Sequence, residues 1–207
     1  MKSIILASAS PRRRKLLEQI NLPFTVEPST VDENFDAGMS PGSIVQELAL
    51  RKARQVAQGK KEALLIGADT IVLLNGKILE KPSDKRQAKD MLTSLSGDTH
   101  EVWTGVALVK QVDQSIESES QHITFSNCTK VTFGEIEERD INRYVETLSS
   151  LDKAGGYGIQ DDYGALFVER IDGDYNSVVG FPLFSFYRHF KSFAPEYLPL
   201  LHTNWHE

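Results

Sequence analysis

The sequence predicts an α/β fold, and three observations carry that reading. A short apolar run, Ile4-Ile5-Leu6, breaks on small residues and leads straight into a helix start at Ser10-Pro11. The stretch from Leu64 to Leu74 is apolar on both faces, as in a strand buried at the centre of a sheet. Between such runs lie segments with the i, i+3, i+4, i+7 spacing of amphipathic helices, so strands and helices alternate along the chain.

The first helix has preferred chemistry at its start, with Ser10 as N-cap and Pro11 at the first helical position. Leu16, Leu17 and Ile20 form its apolar face. Its first turn breaks a rule. Arg12, Arg13, Arg14 and Lys15 stand where the helix dipole is positive and acids are favoured. Either this is a solvated basic turn or an anion sits before it. Small residues, backbone N–H groups and arginines at a strand-to-helix turn make a phosphate site, and local rules tend to break where function requires it.

Phe24-Thr25-Val26 reads as a strand, and residues 27–39 as a polar loop carrying Asp32 and Glu33. Ser40-Pro41 opens a long helix to about Gln58, with Val45, Leu48, Ala49, Ala53 and Val56 as its stripe. Lys52 falls beside that stripe: it either snorkels as a structural residue or reaches into a cleft. Asp69 interrupts the Leu64–Leu74 run. A carboxylate there is costly unless it is paired, metal-bound or catalytic. A hydrogen-bonded acid at a strand end is the plainer alternative, and function is the favoured one.

Asn75-Gly76 is a hairpin dipeptide, with Lys77–Leu79 returning and Glu80-Lys81-Pro82 closing the hairpin. Ser83 is the expected cap of a helix bearing Ala88, Met91, Leu92 and Leu95, which Gly97 stops. Residues 102–108 and 123–133 alternate as strands on either side of a polar loop at 110–121. Another helix is expected to carry Ile141, Tyr144, Val145 and Leu148. Asp152-Lys153-Ala154-Gly155-Gly156-Tyr157-Gly158-Ile159-Gln160 is a glycine-rich loop whose backbone bends tightly or lies against a ligand. Leu166-Phe167-Val168 and Val178-Val179 read as strands paired across Asp172-Gly173. Pro182 opens the last helix, with Leu183, Phe186, Tyr187 and Phe190 inward, and residues 194–207 read as a polar-aromatic tail.

At 207 residues, 40% hydrophobic and 25% charged, the chain has an ordinary soluble balance and is long enough for one sizeable domain or two small lobes. No apolar run approaches membrane-spanning length. The opening run is not read as a signal peptide, because a basic helix follows it at once. Cys128 is the only cysteine, so no internal disulfide forms and a cytoplasmic setting is expected. Cys128 itself reads as a packing residue. A net charge of −6 argues against broad nucleic-acid binding. His100, His122, His189, His202 and His206 lack metal-ligand spacing. No Gly-Lys-Ser or Gly-Lys-Thr occurs, which excludes a P-loop.

These pieces fit one reaction class. The basic helix start can hold phosphates, and Lys52 and Lys81 can add charge to it. Asp69 and Glu33 are hard oxygen ligands suited to Mg²⁺ or Mn²⁺, which also bridges substrate phosphates. A carboxylate within reach could accept the proton of an attacking water.

Several blocks also resemble a known family. Leu6-Ala7-Ser8-Ala9-Ser10-Pro11-Arg12-Arg13, Gly67-Ala68-Asp69-Thr70, Glu80-Lys81-Pro82, Leu95-Ser96-Gly97 and the run Asp152–Gln160 resemble the Maf family of nucleoside triphosphate pyrophosphatases. Val179-Gly180-Phe181-Pro182-Leu183 is similar to its C-terminal signature, with Phe181 where the family usually has Leu. The resemblance implies an inosine-triphosphatase-like mixed twisted sheet flanked by helices, in two lobes with a central cleft. It implies hydrolysis of dTTP and UTP between the α- and β-phosphates, a divalent cation and a homodimer. Asp69 matches the proton acceptor, and Arg12, Thr70 and Gln160 match the specificity positions. Ser8, Arg12, Arg13, Lys52 and Lys81 are then expected to hold phosphates, and Glu33 with Asp69 the metal. Such an enzyme would limit misincorporation of non-standard nucleotides. The rivals are the same chemistry on another nucleotide and a nucleotide-binding regulator of cell division.

Overall fold

The structure, a computed structural model, describes residues 2–36, 38–111, 121–160 and 162–202. Its strands are β1 (Ser3–Leu6), β2 (Thr25–Val26), β3 (Ala63–Leu74), β4 (Lys77–Leu79), β5 (Thr99–Gln111), β6 (Gln121–Phe133) and β7 (Val168–Asp172). The helices are α1 (Pro11–Gln19), α2 (Pro41–Ala57), α3 (Lys85–Leu95), α4 (Glu138–Glu146), α5 (Tyr175–Val179), α6 (Leu183–Phe193) and α7 (Leu198–His202). The strands form one mixed sheet in the order β2-β1-β3-β5-β6-β7, with β4 antiparallel on β3. β1 is parallel to both β2 and β3, so the expected α/β class holds.

The chain divides into two compact units. The first comprises Met1–Asp69, Thr104–Asn127 and Gly180–Glu207, and the second Thr70–Trp103 and Cys128–Val179. β3, β5 and β6 give residues to both.

In the first unit both serine caps act as expected. Ser10 Oγ accepts from Arg13 N at 3.4 Å, and Ser40 Oγ from Ser43 N at 3.2 Å, capping α1 and α2. The α2 stripe is buried against β3 and β5, where Ala49, Ala53, Leu65, Ala107 and Val109 share a core. This contact is unusually close because two strand residues lack side chains. A Cβ added at Gly67 would stand 2.0 Å from Ala49 O, and one at Gly105 would stand 2.4 Å from Val45 O. After α6 the chain does not trail off. Residues 195–202 form a 3-10 turn and α7, with Tyr197 and Leu201 buried. Tyr187 of α6, expected inward, is 40% exposed; Phe186 and Phe190 fill the core. Residues 203–207, and 112–120 of the expected polar loop, lie outside the described residues.

In the second unit three local readings are corrected. Asp84, not Ser83, caps α3: its Oδ1 accepts from Gln87 N at 2.8 Å while Gln87 Oε1 accepts from Ser83 N at 2.6 Å. That reciprocal pair is close to a capping box and moves the start on by one residue. α4 ends at Glu146, two residues short of the expected Leu148, because Thr147 Oγ1 donates to Tyr144 O and Leu148 takes a positive φ of 61°, leaving it exposed. Val178-Val179 is not a strand. Asp174 Oδ1 accepts from Asn176 N at 2.8 Å and starts α5, so β7 pairs with β6 instead.

The second unit has an aromatic core of His100, Phe133, Tyr144, Tyr157 and Phe167. His100 is 1% exposed, and burial pushes its imidazole down to about 4. The folded protein keeps this ring neutral at pH values where the unfolded chain protonates it. Stability is therefore lost as pH falls from about 6.5 towards 4, on the order of 3 kcal/mol in all. Urea midpoints at pH 7 and 4.5 are expected to differ for the parent by more than for His100→Phe, whose ring cannot titrate. Equal differences in the two proteins would show that His100 does not set this slope.

Candidate active site

The first unit draws six of the expected residues into one cluster or its borders. β1 ends at Leu6, so Ser8 lies in the turn before α1, 6% exposed. Its hydroxyl accepts from Ser10 N and from Arg13 Nη1, each at 3.2 Å. Arg13 Nε donates to the Gly180 carbonyl at 3.0 Å, tying the start of α1 to the segment before α6. Arg14 turns away to a surface pair with Glu18. The cationic first turn thus divides by role: Arg13 folds back over the turn and Arg14 faces solvent.

Opposite charge comes from β3 and the loop after β2. Asp69, 7% exposed, receives the Lys52 ammonium at 2.5 Å, and Glu33 receives the same ammonium at 2.6 Å. The cost of a carboxylate in an apolar strand is thus offset by one buried lysine. Glu33 stays in reach because its loop is strapped along α2. Arg51 donates to the carbonyls of Asp32 and Asn34, and Gln55 holds Ser29 and Thr30. Arg51, Lys52 and Gln55 therefore let a single helix hold both the loop and the strand acid.

Arg13 reports on the whole cluster. Burial lowers its guanidinium from the ordinary value; Asp69 and Glu33 oppose this and Arg12 adds to it. Asp69, Glu33 and Arg12 thus all lie near enough to Arg13 for their charges to act on it.

No group of three or more His, Cys, Asp or Glu is placed to hold a metal among the described residues. The donor chemistry still suits Mg²⁺ or Mn²⁺, which need only one or two carboxylates beside substrate phosphates. Glu33 and Asp69 already converge on one cation, the Lys52 ammonium. Lys52, expected on phosphate, is seen on these two acids.

The second unit holds the other expected residues on three tied segments. Half-buried Thr70 follows Asp69 on β3, exposed Lys81 follows β4, and exposed Gln160 ends the glycine-rich loop. Gly155 N donates to Glu80 O at 3.2 Å, joining that loop to the residue before Lys81. At Gly155 the backbone is left-handed, with φ 71°, and a Cβ would meet Val72 at 3.1 Å.

A family model described as Maf-like protein matches residues 3–193. The chain belongs to the Maf-like family. A dTTP/UTP pyrophosphatase of Bacillus cytotoxicus is 50% identical over 193 residues, covering 93% of this chain and 96% of its own. One from Bacillus cereus is 48% identical with the same coverage, as is one from Bacillus anthracis. Of this Maf-like chain's cluster, the Gly180 carbonyl was missed by reasoning from residues, since a backbone acceptor leaves no side-chain signal. The only hint was the Val179–Leu183 block of the family signature. Cys128, expected to pack, is half-buried on β6, and burial pushes its thiol up, away from the reactive thiolate.

Proposed function

We propose that this protein hydrolyses dTTP and UTP to the nucleoside monophosphate and diphosphate. The observation that carries the reading is the double grip of Lys52 on Asp69 and Glu33 beside Arg13, in a chain about half identical to proteins named for that activity. Asp69 is the proton acceptor: it takes the proton of the water whose oxygen attacks phosphorus as the bond to the diphosphate breaks. Lys52 keeps that carboxylate aimed. Ser8, Arg12, Arg13, Lys52 and Lys81 hold phosphate oxygens and stabilise charge moving onto the leaving group. Arg12, Thr70 and Gln160 select the base. Glu33 and Asp69 would hold the divalent cation, which when bound neutralises phosphate charge and lowers the pKa of its water.

No helix among the described residues is long and apolar enough to cross a membrane. The same reading places the enzyme in the cytoplasm, as a homodimer that limits non-standard nucleotides.

Turnover of dTTP, UTP, CTP and 7-methyl-GTP with Mg²⁺ or Mn²⁺ tests the assignment. The expected product is diphosphate, from dTTP and UTP first. Chelation is expected to lower the rate at least about 100-fold, as loss of several kcal/mol of charge stabilisation requires, with recovery on adding metal back. Release of orthophosphate, or a preference for a purine triphosphate, would overturn it.

A further inference from the structure

We infer that Tyr144 and His100 are positioning residues for base selection, because they pin the glycine-rich backbone from which Gln160 extends. The inference rests on the proposed role of Gln160.

An amide cannot discriminate uracil from cytosine by composition. Uracil and thymine offer an acceptor at position 4 and a donor at N3; cytosine offers a donor and an acceptor at the same places. A glutamine carries one donor and one acceptor end, so a half-turn of its amide suits either base. Selectivity therefore requires the amide to be held one way, and the holding must come from the chain around it.

The loop before Gln160 cannot hold itself. Three of its residues, Gly155, Gly156 and Gly158, have no side chain to pack. Its upstream end is fixed by Lys153, whose nearly buried ammonium donates to Ser149 O, to Ser149 Oγ at 3.0 Å and to Asp152 Oδ1 at 2.8 Å. Downstream, two ring partners do the work. Gly158 N donates to the Tyr144 hydroxyl at 3.2 Å, inside the core and two residues before Gln160. The Tyr157 ring is buried edge-on against Phe133 and His100, and its hydroxyl lies 2.6 Å from His100 Nε2. Gly164 then packs on the same spot, where a Cβ would meet Gly158 O at 2.5 Å and the Tyr144 hydroxyl at 3.2 Å. Between these anchors only buried Ile159 separates the pinned Gly158 from Gln160. Neither tyrosine belongs to the phosphate and metal cluster, so both can be altered without touching it.

Tyr144→Phe keeps the ring and removes the acceptor of the Gly158 amide. Displacements of about an ångström at a reacting or reading group cost up to about 100-fold. The expected result is a roughly tenfold fall in the ratio of kcat/KM for UTP over CTP, with kcat on UTP within about threefold of the parent. Faster hydrogen exchange at the Gly158 amide should accompany it. Tyr157→Phe, which releases His100, is the second variant and should move the ratio the same way. In a Gln160→Ala background the Tyr144 substitution should have no further effect on the ratio, because its action passes through that amide. A purely structural tyrosine would lower the melting temperature and leave the ratio alone; that result in both variants overturns the inference. A parent that hydrolyses UTP while neither variant shifts the ratio defeats this inference alone, whereas a parent inactive on pyrimidine triphosphates defeats the functional reading beneath it.

Discussion

Asp69→Asn is expected to end diphosphate release while leaving the chain folded. The asparagine has nearly the same shape and retains an oxygen that can accept from Lys52 Nζ, which now sits 2.5 Å from the carboxylate. Glu33 would keep its own contact with the same ammonium at 2.6 Å. The lost quantities are the negative charge and the ability to take a proton. A positioned general base supplies about 10²–10⁴ in rate, and Asp69 is also a proposed metal ligand, so a fall of at least about 10³ is expected. Stability should change by only about 1–3 kcal/mol, the range for weakening a hydrogen bond to a charged group. Diphosphate release within tenfold of the parent, in a variant shown by melting to be folded, would remove Asp69 from the chemistry.

The strand acid was legible because it broke a pattern. A single carboxylate in the run Leu64–Leu74 demands a partner, and burial physics says so without any structure. The basic first turn of α1 was legible on the same ground. Which lysine answered the acid was not. Lys52 sits beside an apolar stripe, and snorkelling and cleft-reaching predict the same sequence; only the approach of α2 to β3 decides. The misread elements fail for a shared reason. Asp84, Thr147 and Asp174 each use a short polar side chain to capture a nearby backbone group, and such local bonds compete with the periodicity that apolar spacing reports. Val178-Val179 looks like a strand by composition, yet the Asp174 cap makes it helical. The anchors of the glycine-rich loop were invisible for a different reason: Tyr144 stands among the apolar positions of its helix and His100 lacks metal-ligand spacing, and their polar ends meet the loop only in three dimensions.

Gly67→Ala should be strongly destabilising, and it should damage the proposed catalysis through geometry alone. The added Cβ would lie 2.0 Å from Ala49 O and 3.0 Å from both Ala53 N and Ala53 Cβ. The nearest of these is helix backbone, so no side-chain rotation relieves it, and α2 must move off β3. Overpacking a dense core costs about 1–3 kcal/mol when side chains can adjust; a backbone collision of this depth is expected to exceed about 3 kcal/mol, or on the order of 10 °C in melting temperature for a chain of this size. The catalytic consequence follows from what the two elements carry. Lys52 is on α2 and Asp69 is on β3, two residues beyond Gly67, so separating helix from strand stretches the 2.5 Å contact between them. Protein that does fold should lose about 100-fold in kcat/KM although no polar group has changed. Adding Ala53→Gly distinguishes the causes: it removes the side-chain collision but leaves the carbonyl of Ala49 in place, so it should restore little stability. A Gly67→Ala protein melting within about 2 °C of the parent, with undiminished diphosphate release, would show that the close seat of α2 on β3 does not set the Lys52–Asp69 geometry.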